Sequence, residues 1–153
     1  MFRGDSKLTI DVKGRIAIPT KYREKFLGQS DSQIVITINI NPSERCLWLY
    51  TLSEWIEIEQ KLVKLPSLDP AAQRLKRILM GHASDGELDS SGRILLPVTL
   101  REFAGLEKHV LLVGQGNKFE IWNESTWNEQ REKWLAADQG DGTRSVEMES
   151  LSL

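Results

Sequence analysis

Asp11-Val12-Lys13-Gly14-Arg15-Ile16-Ala17-Ile18-Pro19 returns 78 residues later as Asp89-Ser90-Ser91-Gly92-Arg93-Ile94-Leu95-Leu96-Pro97. Arg23-Glu24 returns as Arg101-Glu102 at the same offset. Farther along, Leu47-Trp48-Leu49-Tyr50 aligns with Phe119-Glu120-Ile121-Trp122, and Trp55 with Trp127, at an offset of 72. The change of offset is a difference in loop length. A duplication of this extent predicts two similar units related by a pseudo-two-fold axis. Each unit, at roughly 60–70 residues, is marginal alone, so the halves are expected to share one core.

Within each repeat the short β-prone run, the Asp-to-Gly turn signal and the returning strand read as a β-hairpin. Lys13 and Gly14 stand at the first tip, and Gly92 at the second. Arg15 and Arg93 follow those glycines. Arginine suits bidentate contact with phosphate or guanine edges, and a two-stranded β-ribbon fits the DNA major groove. Asp11 and Asp89, four residues earlier, are placed to hold each guanidinium in one orientation. The competing reading is that each Asp–Arg pair only staples its own hairpin, since exposed ion pairs are common and weak.

Patterning orders the rest of the chain. Pro19 and Pro97 each start a short helix, the first over 20–27 and the second ending at Gly105. A loop is expected over 28–33. Ile34-Val35-Ile36-Thr37-Ile38 is a dense β-branched strand, and 46–50 is another. Thr51 and Glu54 resemble a capping box for a helix running to about Lys64. Asp69-Pro70 opens a second helix that Gly81 ends. Residues 110–113 and 118–122 read as strands, with Gly114-Gln115-Gly116-Asn117 as their turn. Asn123 caps a last helix over 125–137. The expected division is a first repeat over 5–52, linking helices over 53–80, a second repeat over 81–124, a helix over 125–137 and a flexible tail over 138–153, with a short turn at 146–151.

Composition narrows the function classes. The 153 residues are 40% hydrophobic and 27% charged, and no apolar run approaches the roughly 20 residues of a membrane helix. The N-terminal residues lack a signal-peptide core, and the single cysteine, Cys46, cannot form an internal disulfide; a cytoplasmic setting is expected. Net charge is −2, yet residues 1–25 hold seven basic side chains against three acidic ones. That asymmetry allows a basic face on an acidic protein; chance placement of solvated charges is the alternative. Lys13, Lys7 and Arg3 join the signature arginines as candidate DNA contacts. Catalytic readings are thin. His82 and His109 share no repeat position and no metal-ligand spacing. Cys46, inside a strand, packs more readily than it attacks. His82 beside a helix terminus is more naturally a cap than a proton-transfer partner of Asp85. No metal, cofactor or small-molecule substrate is implied, and no enzyme is expected.

Together these segments resemble a known family. Met1-Phe2-Arg3-Gly4, the two Asp-x-x-Gly-Arg signatures, Tyr22-Arg23-Glu24, Leu79-Met80-Gly81-His82-Ala83 and Gly114-Gln115-x-Asn117-Lys118-Phe119-Glu120-Ile121-Trp122 are similar to the MraZ family of bacterial transcriptional regulators. The resemblance covers nearly all of residues 1–135. It implies an α+β, mainly β fold: two tandem SpoVT-AbrB-like modules forming a double-split, swapped-hairpin β-barrel with flanking helices. It also implies ring-shaped homo-oligomers associated with the nucleoid. The implied function is sequence-specific binding of double-stranded DNA at repeated promoter boxes, mainly repressing the family's own operon and the division and cell-wall gene cluster. The family signature maps onto Asp11 and Arg15, and onto Asp89 and Arg93, with Gly14 and Gly92 inside it. Ser91 stands where the first signature has Lys13. Two rival readings are a ring-forming scaffold and an antitoxin-like binding module of the same fold; the presence of two modules argues against the second.

Overall fold

A computed structural model describes residues 1–27, 32–137 and 145–152. Its elements are β1 (Asp5–Thr9), β2 (Arg15–Ala17), α1 (Thr20–Leu27), β3 (Gln33–Ile38), β4 (Leu47–Thr51), α2 (Leu52–Val63), α3 (Pro70–Leu79), β5 (Ser84–Glu87), β6 (Arg93–Leu95), α4 (Val98–Phe103), β7 (His109–Gly114), β8 (Phe119–Asn123), α5 (Glu124–Ala136) and α6 (Val146–Glu149). Most of the loop expected over 28–33, and residues 138–144 of the expected tail, lie outside the described residues. The predicted caps form. Thr51 accepts from the Glu54 N–H, Asp69 from Ala71, and Asn123 from Ser125 and Thr126. Each satisfies a backbone donor that the first helical turn leaves free.

Six strands make one antiparallel sheet in the order β1-β7-β8-β4-β3-β5, and β2 pairs with β6 in a separate two-stranded ribbon. Exchanging the repeats reverses the sheet order onto itself. In the ribbon Ile16 lies opposite Ile94, and in the sheet Trp48 lies opposite Glu120. Both are pairs of repeat equivalents, so the pseudo-two-fold axis passes between the members of each.

The local hairpin expected from the sequence does not form as a ladder. The Asp11 N–H donates to the Arg15 carbonyl and closes the turn, but β1 then pairs with β7 and β2 with β6. Likewise β5 pairs with β3. The exchange gives each three-residue ribbon strand a partner bearing the same inward isoleucine, which a pairing with β1 or β5 would not. A closed barrel is also absent among the described residues: β1 and β5 are the two edges of the sheet and do not meet.

Period-2 alternation sets the core. Ile34, Ile36 and Ile38, Leu47 and Leu49, Val110 and Leu112, and Phe119 and Ile121 share one cluster with Ile16, Ile18, Ile94 and Leu96 of the ribbon and its continuation. Tyr22 and Phe26 of α1 and Leu100 of α4 belong to the same cluster. Phe2 enters it too, its ring 4.2 Å from that of Phe119, and its N–H and carbonyl both bond to Gly116. On the opposite face, Trp55 and Leu62 of α2 and Leu79 of α3 cover Val35 and Tyr50. Trp122 and Leu111 pack with Cys46 and Trp127. β3 is therefore buried on both sides, which explains its unbroken apolar run.

Each repeat completes the other's sheet, so residues 1–80 alone are not expected to fold as a monomer. Circular dichroism with analytical ultracentrifugation should find that fragment either unfolded or paired with itself. A folded, monomeric fragment would contradict the strand exchange.

Candidate nucleic-acid interface

Each signature segment folds as a compact turn organised by its aspartate. Asp11 Oδ1 accepts from the N–H groups of Lys13 and Arg15, each at 2.9 Å, and the Gly14 N–H donates to the Asp11 carbonyl. Asp11 Oδ2 takes Arg15 Nε at 2.9 Å. The second turn repeats this bond for bond: Asp89 Oδ1 accepts from Ser91 and Arg93, and Oδ2 takes Arg93 Nε at 2.9 Å. Both halves of the earlier alternative are thus present, because the aspartate staples its turn and orients its arginine with the two oxygens of one carboxylate. Nε is the guanidinium nitrogen nearest the backbone, so the terminal nitrogens suited to bidentate contact lie at the far end of the side chain.

The backbone N–H of Arg15 is the main reason that the Asp11 carboxyl sits below the usual carboxylate range. Partial desolvation opposes it, and the Arg15 guanidinium and Lys13 N–H reinforce it. Asp89 is lowered in the same way, first by the Arg93 N–H. A depressed carboxyl keeps its charge to a lower pH than an ordinary aspartate, so what the clamp contributes is present above the ordinary range and is lost as pH falls through the lowered pKa. These side chains are about one-third exposed or less for the first pair and slightly more for the second, at 25–37%, so the ion pairs serve geometry more than stability.

The ribbon joins the two turns. Ile16 and Ile94 face the core, which leaves Arg15, Ala17, Arg93 and Leu95 on the outer face. Arg15 stands opposite Leu95 and Arg93 opposite Ala17, so the two arginines are diagonal neighbours across an apolar floor. Such diagonal Cα positions are roughly 7–8 Å apart. Each turn's glycine extends the ladder: the Gly14 carbonyl accepts from the Leu96 N–H and the Gly92 carbonyl from the Ile18 N–H. Both glycines have positive φ, 84° and 72°, which a side chain resists.

Two arginines that the motif reading did not place at the site stand over those glycines. Arg101 of α4 lies on Gly14, and Arg23 of α1 lies on Gly92; a Cβ at either glycine would fall within 3 Å of guanidinium atoms. Arg23 Nε donates to the Ile18 carbonyl and Arg101 Nε to that of Leu96. Their sequence signal was the repetition of Arg23-Glu24 as Arg101-Glu102 at the signature's own offset.

The other candidates are spread out. Lys13 is exposed at the first tip beside fully exposed Val12. Lys7 projects from the exposed face of β1 and borders a shallow hollow with Ala17, His109 and Glu124, next to the ribbon. Arg3 is not brought to the turns. It precedes β1 at the opposite end from Asp11, with its carbonyl bonded to the Tyr22 hydroxyl and its backbone against Gly114. Cys46 is buried and its thiol is pushed far up by desolvation, and His82 Nδ1 meets the Ile78 carbonyl at 2.6 Å, as a helix-end cap does. No group of side chains among the described residues could hold a metal ion, and no helix among them is long and apolar enough to cross a membrane.

Comparison with known proteins agrees with the tandem arrangement. The family model described as "MraZ protein, putative antitoxin-like" matches twice, over residues 1–78 and 79–144. A protein named transcriptional regulator MraZ from Halorhodospira halophila is 50% identical over the full length of both chains. Proteins of the same name from Coxiella burnetii and Legionella pneumophila are each 52% identical, again end to end. With both repeats matched and the identity sustained over the whole length, this chain belongs to the MraZ family.

Proposed function

We propose that this chain is a sequence-specific DNA-binding transcriptional regulator that reads repeated promoter boxes with the outer face of its ribbon. The observation that carries this reading is the pair of aspartate-clamped arginines, Arg15 and Arg93, set diagonally on a two-stranded ribbon. A ribbon of that width fits the major groove, and a pre-oriented guanidinium loses less freedom on meeting a base edge or phosphate. Asp11, Asp89, Gly14 and Gly92 orient the readers, Lys13 adds a phosphate contact at the first tip, and Lys7 stands beside the ribbon. Arg3, at the far end of β1, would reach only DNA that wraps past the turns.

In this reading the protein acts mainly as a repressor of its own operon and of the division and cell-wall gene cluster. It works in the cytoplasm, on the nucleoid, as a ring of identical subunits. One ribbon spans only a few base pairs, too little information to select a promoter. A ring presents several ribbons at fixed spacing, so each further box is engaged intramolecularly and tandem boxes gain about 10²–10⁴-fold.

The direct test is a mobility shift with DNA from upstream of this chain's own gene, against scrambled DNA at matched salt. Replacing both Arg15 and Arg93 by alanine should leave the melting temperature nearly unchanged and weaken specific binding by about 1–3 kcal/mol per lost bidentate contact. Undiminished binding by the folded double variant would favour the scaffold reading instead.

Lys13→Ala tests the first tip separately. It should reduce affinity for specific and random DNA about equally and flatten the slope of log affinity against log salt by roughly 0.9. Ser91→Ala should leave that slope where it is, because the second tip carries no matching charge. An unchanged slope for Lys13→Ala removes Lys13 from the interface.

A further inference from the structure

We propose that Arg101 and Arg23 are positioning residues that act in trans between the repeats. Arg101, from the second repeat, sets the first reading turn, and Arg23, from the first repeat, sets the second. This builds on the DNA-reading role of Arg15 and Arg93.

The geometry forms a closed circuit at each turn. The Gly14 carbonyl accepts from the Leu96 N–H at 2.9 Å, the Leu96 carbonyl accepts from Arg101 Nε at 2.9 Å, and the Arg101 guanidinium lies back over Gly14. The partner circuit runs from Gly92 to the Ile18 N–H at 2.9 Å, from the Ile18 carbonyl to Arg23 Nε at 2.8 Å, and back over Gly92. In both, the glycine belongs to one repeat and the other two members to its companion. The planar guanidinium lies so close that a Cβ on the glycine would fall within 3 Å of it, so the absence of a side chain there serves two ends: it permits positive φ, and it lets the cover seat. The next residue in each chain is the reading arginine. Losing the cover frees the Gly14–Arg15 or Gly92–Arg93 segment without touching its aspartate clamp. The turns carry different tips, Val12-Lys13 against Ser90-Ser91, so the two covers control chemically different contacts.

Two measurements test this. Hydrogen–deuterium exchange without DNA should quicken over residues 11–15 in Arg101→Ala and spare 89–93, with the pattern reversed in Arg23→Ala. Double-mutant cycles on binding to DNA from upstream of the chain's own gene should then show Arg101→Ala coupled to Arg15→Ala by about tenfold and additive with Arg93→Ala. Arg23→Ala should couple to Arg93→Ala alone. Arg101→Lys, which keeps the charge but not the planar cover, should not restore tight binding. Coupling within a repeat, additivity throughout, or full rescue by lysine would overturn the proposal, the last two by making these arginines simple phosphate contacts. If wild-type protein failed to bind the DNA, the DNA-reading role itself would fall, while the exchange pattern would still decide which turn each arginine holds.

Discussion

Ile16 facing Ile94 across the ribbon is the contact around which the molecule is arranged. Each isoleucine is almost completely buried, at 1% exposure, and each comes from a different repeat. A three-residue strand cannot hold its place by hydrogen bonds alone; its one inward side chain must find apolar neighbours. Pairing the two strands provides them over the shared core, and burial of that kind is worth about 1.5–3 kcal/mol per side chain. The alternation of a strand then dictates the rest. With the isoleucines turned in, Arg15 and Arg93 must face out. The chain reversals feeding the ribbon become the tight turns that Asp11 and Asp89 stabilise.

The same axis governs the far side of the sheet, where Trp48 Nε1 and Trp122 Nε1 donate to the two oxygens of Glu120, each at 3.1 Å. Glu120 replaces the tryptophan that symmetry would put opposite Trp48. A single carboxylate satisfies two indoles there, which two facing tryptophans could not do for each other. Helices α2, α3 and α5 cover this face, while the ribbon, with α1 and α4, covers the other. The arginine face and the helical face are therefore on opposite sides of the sheet. That separation reconciles a net-negative chain with an anionic partner, since only the ribbon side needs to be basic.

Much of this was legible in the residues. The duplication, the caps at Thr51, Asp69 and Asn123, the β3 run and both Asp–Arg clamps rest on local chemistry, and local chemistry is what a sequence writes openly. What the residues alone left unread was partner choice, which only the resemblance, with its swapped hairpins, anticipated. Asp11-to-Gly14 is a genuine turn, and a turn between two β-prone runs looks like a hairpin whether or not its arms pair. Nothing near Arg15 says that its strand will bond to Leu95. The covers on Gly14 and Gly92 were hidden for the same reason, since Arg101 is 87 positions from Gly14 in the chain. The grouping of Arg3 with the signature came from counting charge along the first 25 residues, whereas an extended β1 carries Arg3 away from the turn. On α5, the rings of Trp127 and Trp134 meet Trp122 edge to face, yet Trp134 stays 40% exposed.

Contact between the ribbon face and DNA can be mapped by photo-crosslinking. A duplex from upstream of the chain's own gene, carrying 5-iodouracil in place of thymine, would be irradiated with the full-length protein and the attached peptides identified by mass spectrometry. Crosslinks within residues 11–17 and 89–95 are predicted, from both repeats. Crosslinks confined to α2, α3 or α5 would contradict the ribbon as the reading surface.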